Sequence, residues 1–234
     1  DSSMLTYIYS SDGAAGRGEG LIEFFDPLHP TDTIAVKAQK KTIAAGPKFA
    51  INTYINVTPT STVTIVLDEY SGDQLVVKGT ASINFAMSAG GTMNLIGNYE
   101  VESGDYDLSL AQLIRKKFKI QKGSTITWSG DPLKAEMNLT AMYAIKTTAA
   151  ELVNDIQDVP GIDKQKLNFE VYLLLTKELL KPDINFRLDM AESDREAFDG
   201  RVYNRIRQVN SIPSDLNKQV MGLLALNHFI SDNP

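Results

Sequence analysis

From Gly97 to Ile145 the chain alternates between apolar and polar side chains. Tyr99, Val101, Tyr106, Leu108 and Leu110, then Phe118 and Ile120, then Ile126 and Trp128, and finally Leu133, Ala135, Met137, Leu139, Ala141 and Tyr143 fall at every second position within each run. Asn98, Glu100, Glu102, Asp107, Lys117, Lys119, Thr127, Lys134, Glu136 and Asn138 stand between them. A period of two is the period of a β-strand, so each run presents one apolar face and one polar face. Ser103-Gly104-Asp105, Lys122-Gly123-Ser124 and Ser129-Gly130-Asp131-Pro132 put glycine where a tight hairpin requires positive φ, which predicts an antiparallel meander. A sheet of this kind has to hide one side. It either closes on a dry core or curls into an open trough.

The flanking segments extend the pattern. Met4 to Tyr9 and Gly20 to Phe25 read as two strands around a loop, 10–19. That loop carries Gly13, Gly16 and Gly18, yet it is no phosphate loop, because a strand rather than a helix follows the glycines. Residues 26–48, with Pro27, Pro30 and Pro47, read as a long connection. Alternation resumes through Phe49, Ile51, Ile55 and Val57, turns at Pro59, and continues in Val63, Ile65 and Leu67. Hairpins are expected at Tyr70-Ser71-Gly72-Asp73 and Ala89-Gly90-Gly91, around strands that include Leu75 to Lys78 and Ala81 to Met87 and that lead into Met93 and Leu95. Residues 147–166 break the pattern, with a short helix expected from Ala149 to Ile156. Leu167, Phe169, Val171, Leu173 and Leu175 restore it, and Ile184, Phe186, Leu188 and Met190 follow the Lys181-Pro182-Asp183 turn.

The last quarter changes period. Ser193-Asp194-Arg195-Glu196 has the spacing of a capping box, and Phe198, Val202, Ile206 and Val209 follow at helical intervals. Ser211-Ile212-Pro213-Ser214 announces a second helix through Leu216, Val220, Leu223 and Leu224 to about Ile230. The organisation expected is mainly β: a curled antiparallel sheet over 1–190, with excursions near 26–48 and 147–166, and two amphipathic helices over 191–234 as a helical cap or interaction segment.

Composition narrows the function. The formal charge of −6 opposes a nucleic-acid surface, and Arg115-Lys116-Lys117 is the only basic cluster. With no cysteine, and with His29 and His228 far apart in the chain, no metal-ligand spacing is present. Neither a G-x-S-x-G nor an H-E-x-x-H motif occurs, and the acidic residues fall on the wet face of the strands. These features predict a protein that is not an enzyme, without metal or cofactor. No apolar run reaches the ~20 residues of a membrane helix. The chain opens at Asp1 directly on strand-like residues and reads as a piece of something longer.

Certain residues carry a more specific likeness. Gly97-x-Tyr99, Gly104-x-Tyr106-x-Leu108, Phe118-x-Ile120-x-x-Gly123, Ile126-x-Trp128-x-Gly130-Asp131-Pro132 and Ala135 through Asn138 to Ala141-x-Tyr143 resemble the C-terminal domain of the TamB family, from the translocation and assembly module. Leu180-Lys181-Pro182-x-Ile184-x-Phe186, Asn217-x-Gln219-Val220 and Leu223-Leu224-x-Leu226-Asn227-x-Phe229 are similar to its Bacteroidetes-type branch. The opening from Ser3-Met4-Leu5-Thr6 to Phe24-Phe25-Asp26-Pro27 also looks like the family.

The resemblance implies a β-taco, a sheet folded lengthwise around an apolar groove. It implies a periplasmic protein of a Gram-negative bacterium, anchored through a distant N-terminal helix in the inner membrane. The implied partners are phospholipid acyl chains and an outer-membrane barrel with POTRA domains, of the TamA or TamL type. The implied role is movement of phospholipid or assembly of outer-membrane proteins. On parity, the groove lining expected is Met93, Leu95, Tyr99, Val101, Leu108, Phe118, Ile120, Ile126, Trp128, Met137, Leu139, Tyr143, Phe169, Val171, Phe186 and Leu188. Such a surface offers hydrocarbon a transfer gain of roughly 0.8 kcal/mol per buried CH₂ without directional bonds. Alternation alone leaves two other forms open. One is a closed β-sandwich acting as an adhesion or carbohydrate-binding module, with outward aromatics such as Tyr172; the other is a transmembrane barrel, which calls for aromatic girdles.

Overall fold

The computed structural model describes residues 4–8, 49–68, 70–110, 114–153 and 159–231. The strand expected over 20–25 and the segments 10–19 and 26–48 lie outside the described residues. So does the part of the expected helix that falls in 154–158. In chain order the elements are β1 (Met4–Ile8), β2 (Ile51–Val57), β3 (Thr62–Asp68), β4 (Asp73–Met87), β5 (Met93–Leu110), β6 (Ile114–Ile120), β7 (Thr125–Gly130), β8 (Glu136–Thr148), β9 (Lys166–Glu178) and β10 (Lys181–Met190). Two helices close the chain, α1 (Arg201–Ser211) and α2 (Pro213–Leu226).

All ten described strands belong to one sheet. Pairing is antiparallel throughout except between β1 and β3. The path of paired strands begins at β1 and ends at β10, which do not pair with each other, so the sheet is open and is not a barrel. A two-sheet sandwich is likewise not what the chain builds.

The sheet departs from a simple meander along one line. β2 and β3 both lie against β4, β2 on residues 81–87 and β3 on 73–78, and they run in the same direction. Pro59 therefore marks a step within one strand line and not a reversal. β6 and β7 share this relation to β5, on 104–110 and 95–100. Between them, Lys122-Gly123 is a local excursion and not the hairpin that its glycine announces. Gly123 adopts φ 85°, and Ser124 re-joins the ladder, its hydroxyl donating to the Gln121 carbonyl at 2.8 Å and accepting from Thr140 N at 3.1 Å.

Ser103-Gly104-Asp105 also lies inside a strand. The apolar positions of β5 switch from odd, through Val101, to even, from Tyr106. That switch, read along the chain, looks like a turn. It is a bulge: Gly79 pairs with Val101 and Lys78 with Ser103, leaving Glu102 as the extra residue. Glycine serves close approach here. A Cβ on Gly79 would collide with the Glu100 carbonyl, and one on Gly104 would lie 2.6 Å from the Val76 carbonyl oxygen.

The expected turns at 70–73 and 89–91 are hairpins, and Pro132–Lys134 forms a 3₁₀ turn capped by the Asp131 carboxylate, which accepts from Leu133 N at 3.0 Å. The β9–β10 turn falls at Leu179-Leu180, one step before Lys181-Pro182-Asp183, which already belong to β10.

The interruptions at 58–61, 78–79, 101–103 and 121–124 stand side by side and cross the sheet as a crease, which ends at the unbroken β8–β9 pairing. Bulges add local twist and bend. The curl brings Val63 and Ile65 of β3 to the same cleft as Pro132 and Leu179, from the opposite side of the sheet.

The first helix begins later than its capping-box spacing implies. Phe198, Asp199 and Gly200 take left-handed φ values of 55°, 56° and 71°, and α1 starts at Arg201. Ser193, the cap that this spacing implies, does not cap it; its hydroxyl donates to Asp194 Oδ1 at 3.1 Å, and Asp194 in turn reaches β9. The Asp194 carboxylate accepts from the backbone and side-chain nitrogens of Asn168, at 2.7 and 2.8 Å, and so ties this segment to β9.

Val202, Ile206 and Val209 of α1 join Leu216, Val220, Leu223 and Leu224 of α2 in one core with the sheet. Two side-chain amides complete the joint by pairing like short strands. Asn210 accepts from Leu188 N at 2.9 Å and donates to Leu188 O at 2.7 Å, covering part of the edge strand β10. Gln219 does the same for Ile230, at 2.9 and 2.8 Å, and the tail it holds carries Phe229 edge-on to Phe169 at 4.7 Å.

Candidate functional site

Parity sorts the sheet into two faces. On the outer one, charges pair across strands, Lys117 with Asp107, Lys119 with Asp105 and Lys177 with Asp183, and along β10, Arg187 with Asp189. Tyr172, a candidate sugar platform, is engaged there. Its ring lies under Arg187 at 4.1 Å and its hydroxyl bonds Glu170 at 2.8 Å. Burial and the neighbouring Glu170 raise its pKa.

The inner face is apolar and is covered unevenly. On the helix side of the crease, Leu108, Phe118, Phe169, Val171 and Leu188 are buried beneath the protein's own residues, as are Leu173 and Met190. Lys116 reaches across this half from β6, its Nζ donating to Tyr143 Oη at 3.2 Å and to Asn227 Oδ1 at 3.3 Å. Tyr143 is half-buried beside Phe118, the ring centroids 5.7 Å apart. Along the crease, Tyr99, Val101, Ile120, Ile126, Met137 and Leu139 are also buried.

Past the crease the cover ends. Met93 is 52% exposed, Ile55 and Ile184 are exposed, and Leu95, Trp128 and Phe186 are half-buried. Astride the crease the curl leaves a cleft of about 110 Å³, walled by Ile55, Val57, Ile83, Leu95, Tyr99, Trp128, Pro132 and Leu179 and, from the other side of the crease, by Val63 and Ile65 of β3. Of the lining expected from parity, the structure brings Leu95, Tyr99 and Trp128 to this cleft; Met93 stands exposed at the same end of β5. Ile55, Val57, Val63, Ile65 and Ile83 were legible as an apolar face of their own strands, but nothing local in the sequence placed them opposite Leu179.

Tyr99 introduces the one polar atom of note. It is 2% exposed, and its hydroxyl has no hydrogen-bond partner among the described residues. Burial, and then the charge of Glu102, push its pKa up to about 12, so it remains a protonated donor at neutral pH. Tyr106, equally buried, is shifted in the same direction by burial and by Asp73.

No group of three or more His, Cys, Asp or Glu among the described residues is arranged to hold a metal. No helix among them is long and apolar enough to cross a membrane. What the geometry defines is a curled β-sheet scaffold with two terminal helices and an apolar inner face. The family model of the TamB C-terminal domain matches residues 3–234, and the chain belongs to that family. A comparison with curated proteins gives no match. Domains of the TamB family are non-catalytic scaffolds, and membership agrees with a periplasmic location and a general partnership within the translocation and assembly module.

Proposed function

We propose that this domain is a section of a hydrocarbon conduit, in which phospholipid acyl chains lie along the uncovered half of the inner face. Within a longer protein anchored in the inner membrane, it would end near an outer-membrane barrel partner with POTRA domains, of the TamA or TamL type. The observation that carries the reading is the persistence of apolar residues on the inner face beyond the crease, where Met93, Leu95 and Trp128 have none of the described helices over them. An apolar surface left open is favourable for hydrocarbon, and methionine adapts to irregular chains. The charged outer face keeps the sheet in water.

A photoactivatable residue in place of Met93, followed by mass spectrometry of what it captures in cells, tests the reading. Phospholipid adducts that disappear in a Leu95→Asp background support a conduit. Capture of none, from a protein that accumulates normally, overturns it.

A further inference from the structure

The charge pairs of the outer face stand on β6 and the part of β5 against it, and on β9 and β10. Past the crease, where β2, β4, β5 and β7 lie side by side, that face changes character. Residues 52–56, 82–86, 94–98 and 125–129 contain no charged side chain, in a chain that is 22% charged. The outward positions are mostly amides and hydroxyls. The register sets Asn56, Ser82, Asn98 and Thr127 in one row across the four strands, and Tyr54, Asn84, Ile96 and Ser129 in the next. Asparagine is disfavoured in strands, and a departure from local preference that recurs on one face calls for a reason outside folding.

Bonds within the patch do not exhaust it. Asn84 Nδ2 donates to Asn52 Oδ1 at 3.0 Å, and the Thr127 hydroxyl donates to Asn98 Oδ1 at 2.8 Å. A side-chain amide has two N–H donors and a carbonyl with two lone pairs, so each of these asparagines keeps groups to offer. Asn52, Asn56, Asn98 and Thr127 are exposed, and a shallow depression of about 340 Å³ opens beside Asn98, between Ser82, Thr80 and Glu100. Tyr54 is 73% exposed and Ile96 51%. They flank Asn84 from either side, two strand spacings or about 10 Å apart.

We propose that this part of the outer face binds an extended, uncharged, β-linked sugar chain, with Tyr54 and Ile96 against the C–H faces of its rings and the amides on its hydroxyls. A primary amide donates and accepts side by side, as adjacent sugar hydroxyls do. A charged partner finds no counter-charge in the two rows, and the net charge of −6 opposes a polyanion. An apolar partner would bury the amides without hydrogen bonds. The exposed tyrosine combines an apolar ring with a polar tip, which suits a ligand that is apolar on its ring faces and polar at its rim. The site lies on the face opposite the apolar cleft and stands independently of the conduit.

Calorimetric titration of the 234-residue chain with N-acetylchitohexaose, cellohexaose and the anionic hexagalacturonate tests the assignment. At least one of the two neutral chains is expected to bind, and the anionic one is not. Tyr54→Ala should weaken the neutral ligand about tenfold, whereas Tyr54→Phe, which keeps the ring, should stay within about twofold. Asn98→Asp keeps the acceptor for Thr127 and removes the amide donors, and should weaken binding about threefold to tenfold. Tyr172→Ala, whose ring already lies under Arg187, should change nothing. In nitrogen-15 spectra of the unaltered protein, the side-chain amide signals of Asn56 and Asn98 should move during the titration while that of Asn168, bonded to Asp194, stays in place.

Failure of both neutral chains to bind, equal or tighter binding of hexagalacturonate, or unchanged affinity in Tyr54→Ala overturns the proposal. So does a bound sugar that leaves the Asn56 and Asn98 signals where they were, a result that holds even if a variant fails to fold. None of these outcomes bears on the conduit.

Discussion

On one side of the crease the inner face of the sheet meets α1, α2 and Phe229; on the other, no described helix covers the same alternating pattern. The strands themselves run through both regions. β10 shows the contrast within ten residues: Leu188 and Met190 are buried where the helices lie, whereas Ile184 is exposed and Phe186 half-buried beyond them. An apolar position in a strand is thus core or surface according to what the rest of the chain brings over it. The buried core is concentrated in the covered half.

The sharpest way to break this comparison is to put the same charge on each side of it. Val171→Asp, at a position 0% exposed beneath the helices, should cost about 4 kcal/mol or more and leave little folded protein. Leu95→Asp, half-buried in the cleft, should cost about 1 kcal/mol. Urea denaturation of both decides the matter, and similar midpoints would erase the distinction between the halves.

Truncation provides the next contrast. Phe229→Ala removes the edge-on partner of Phe169 and is expected to destabilise by about 3–5 kcal/mol. Met93→Ala should stay within about 0.5 kcal/mol of the unaltered protein. A small effect at Phe229 would mean that the tail is not part of the core.

Asn210→Ala tests how the helices hold the sheet edge. It leaves the Leu188 amide and carbonyl without partners, at about 1–3 kcal/mol, and hydrogen exchange at Leu188 should accelerate more than at Ile184. Unaltered exchange would show that the edge is covered by other means.

The smallest effect concerns acid. The backbone N–H of Asn168, followed by its side-chain amide and Ser193, holds Asp194 below the usual carboxylate pKa, with burial opposing. A depressed folded-state pKa stabilises fully above the unfolded value of ~3.9, and that contribution is lost as the pH falls through the lower folded one. Unaltered protein should therefore lose slightly more stability than Asp194→Asn between about pH 4 and pH 2. Acid titrations that superimpose would remove this tie between the helical segment and β9.

Much of this was readable along the chain, and the failures have a common cause. Two-residue alternation placed Leu139, Val171 and Leu188 on one face, and helical spacing placed Val202, Ile206 and Leu223 on another, because each pattern is generated by local backbone geometry. Glycine misled where its role was close approach between strands. At Gly104 and Gly123 a hairpin and a bulge ask for the same residue, and only the register of the neighbouring strand tells them apart. Ser193-x-x-Glu196 misled for a similar reason, since the Ser193 hydroxyl bonds Asp194, whose carboxylate found a distant backbone partner in Asn168.

The cleft was the least legible feature. Leu95, Tyr99 and Trp128 were expected in a groove, but Ile55, Val63 and Leu179 reach it only through the curl, which depends on interruptions lining up across strands far apart in sequence. By itself, then, the sequence determined the strands, their two faces, the helices and the family, because periodicity and motif spacing are properties of short segments. Tertiary structure alone decided where the sheet creases and which half of its apolar face the helices occupy. Those outcomes follow from close approach of backbones and from packing between distant segments, which no local pattern encodes.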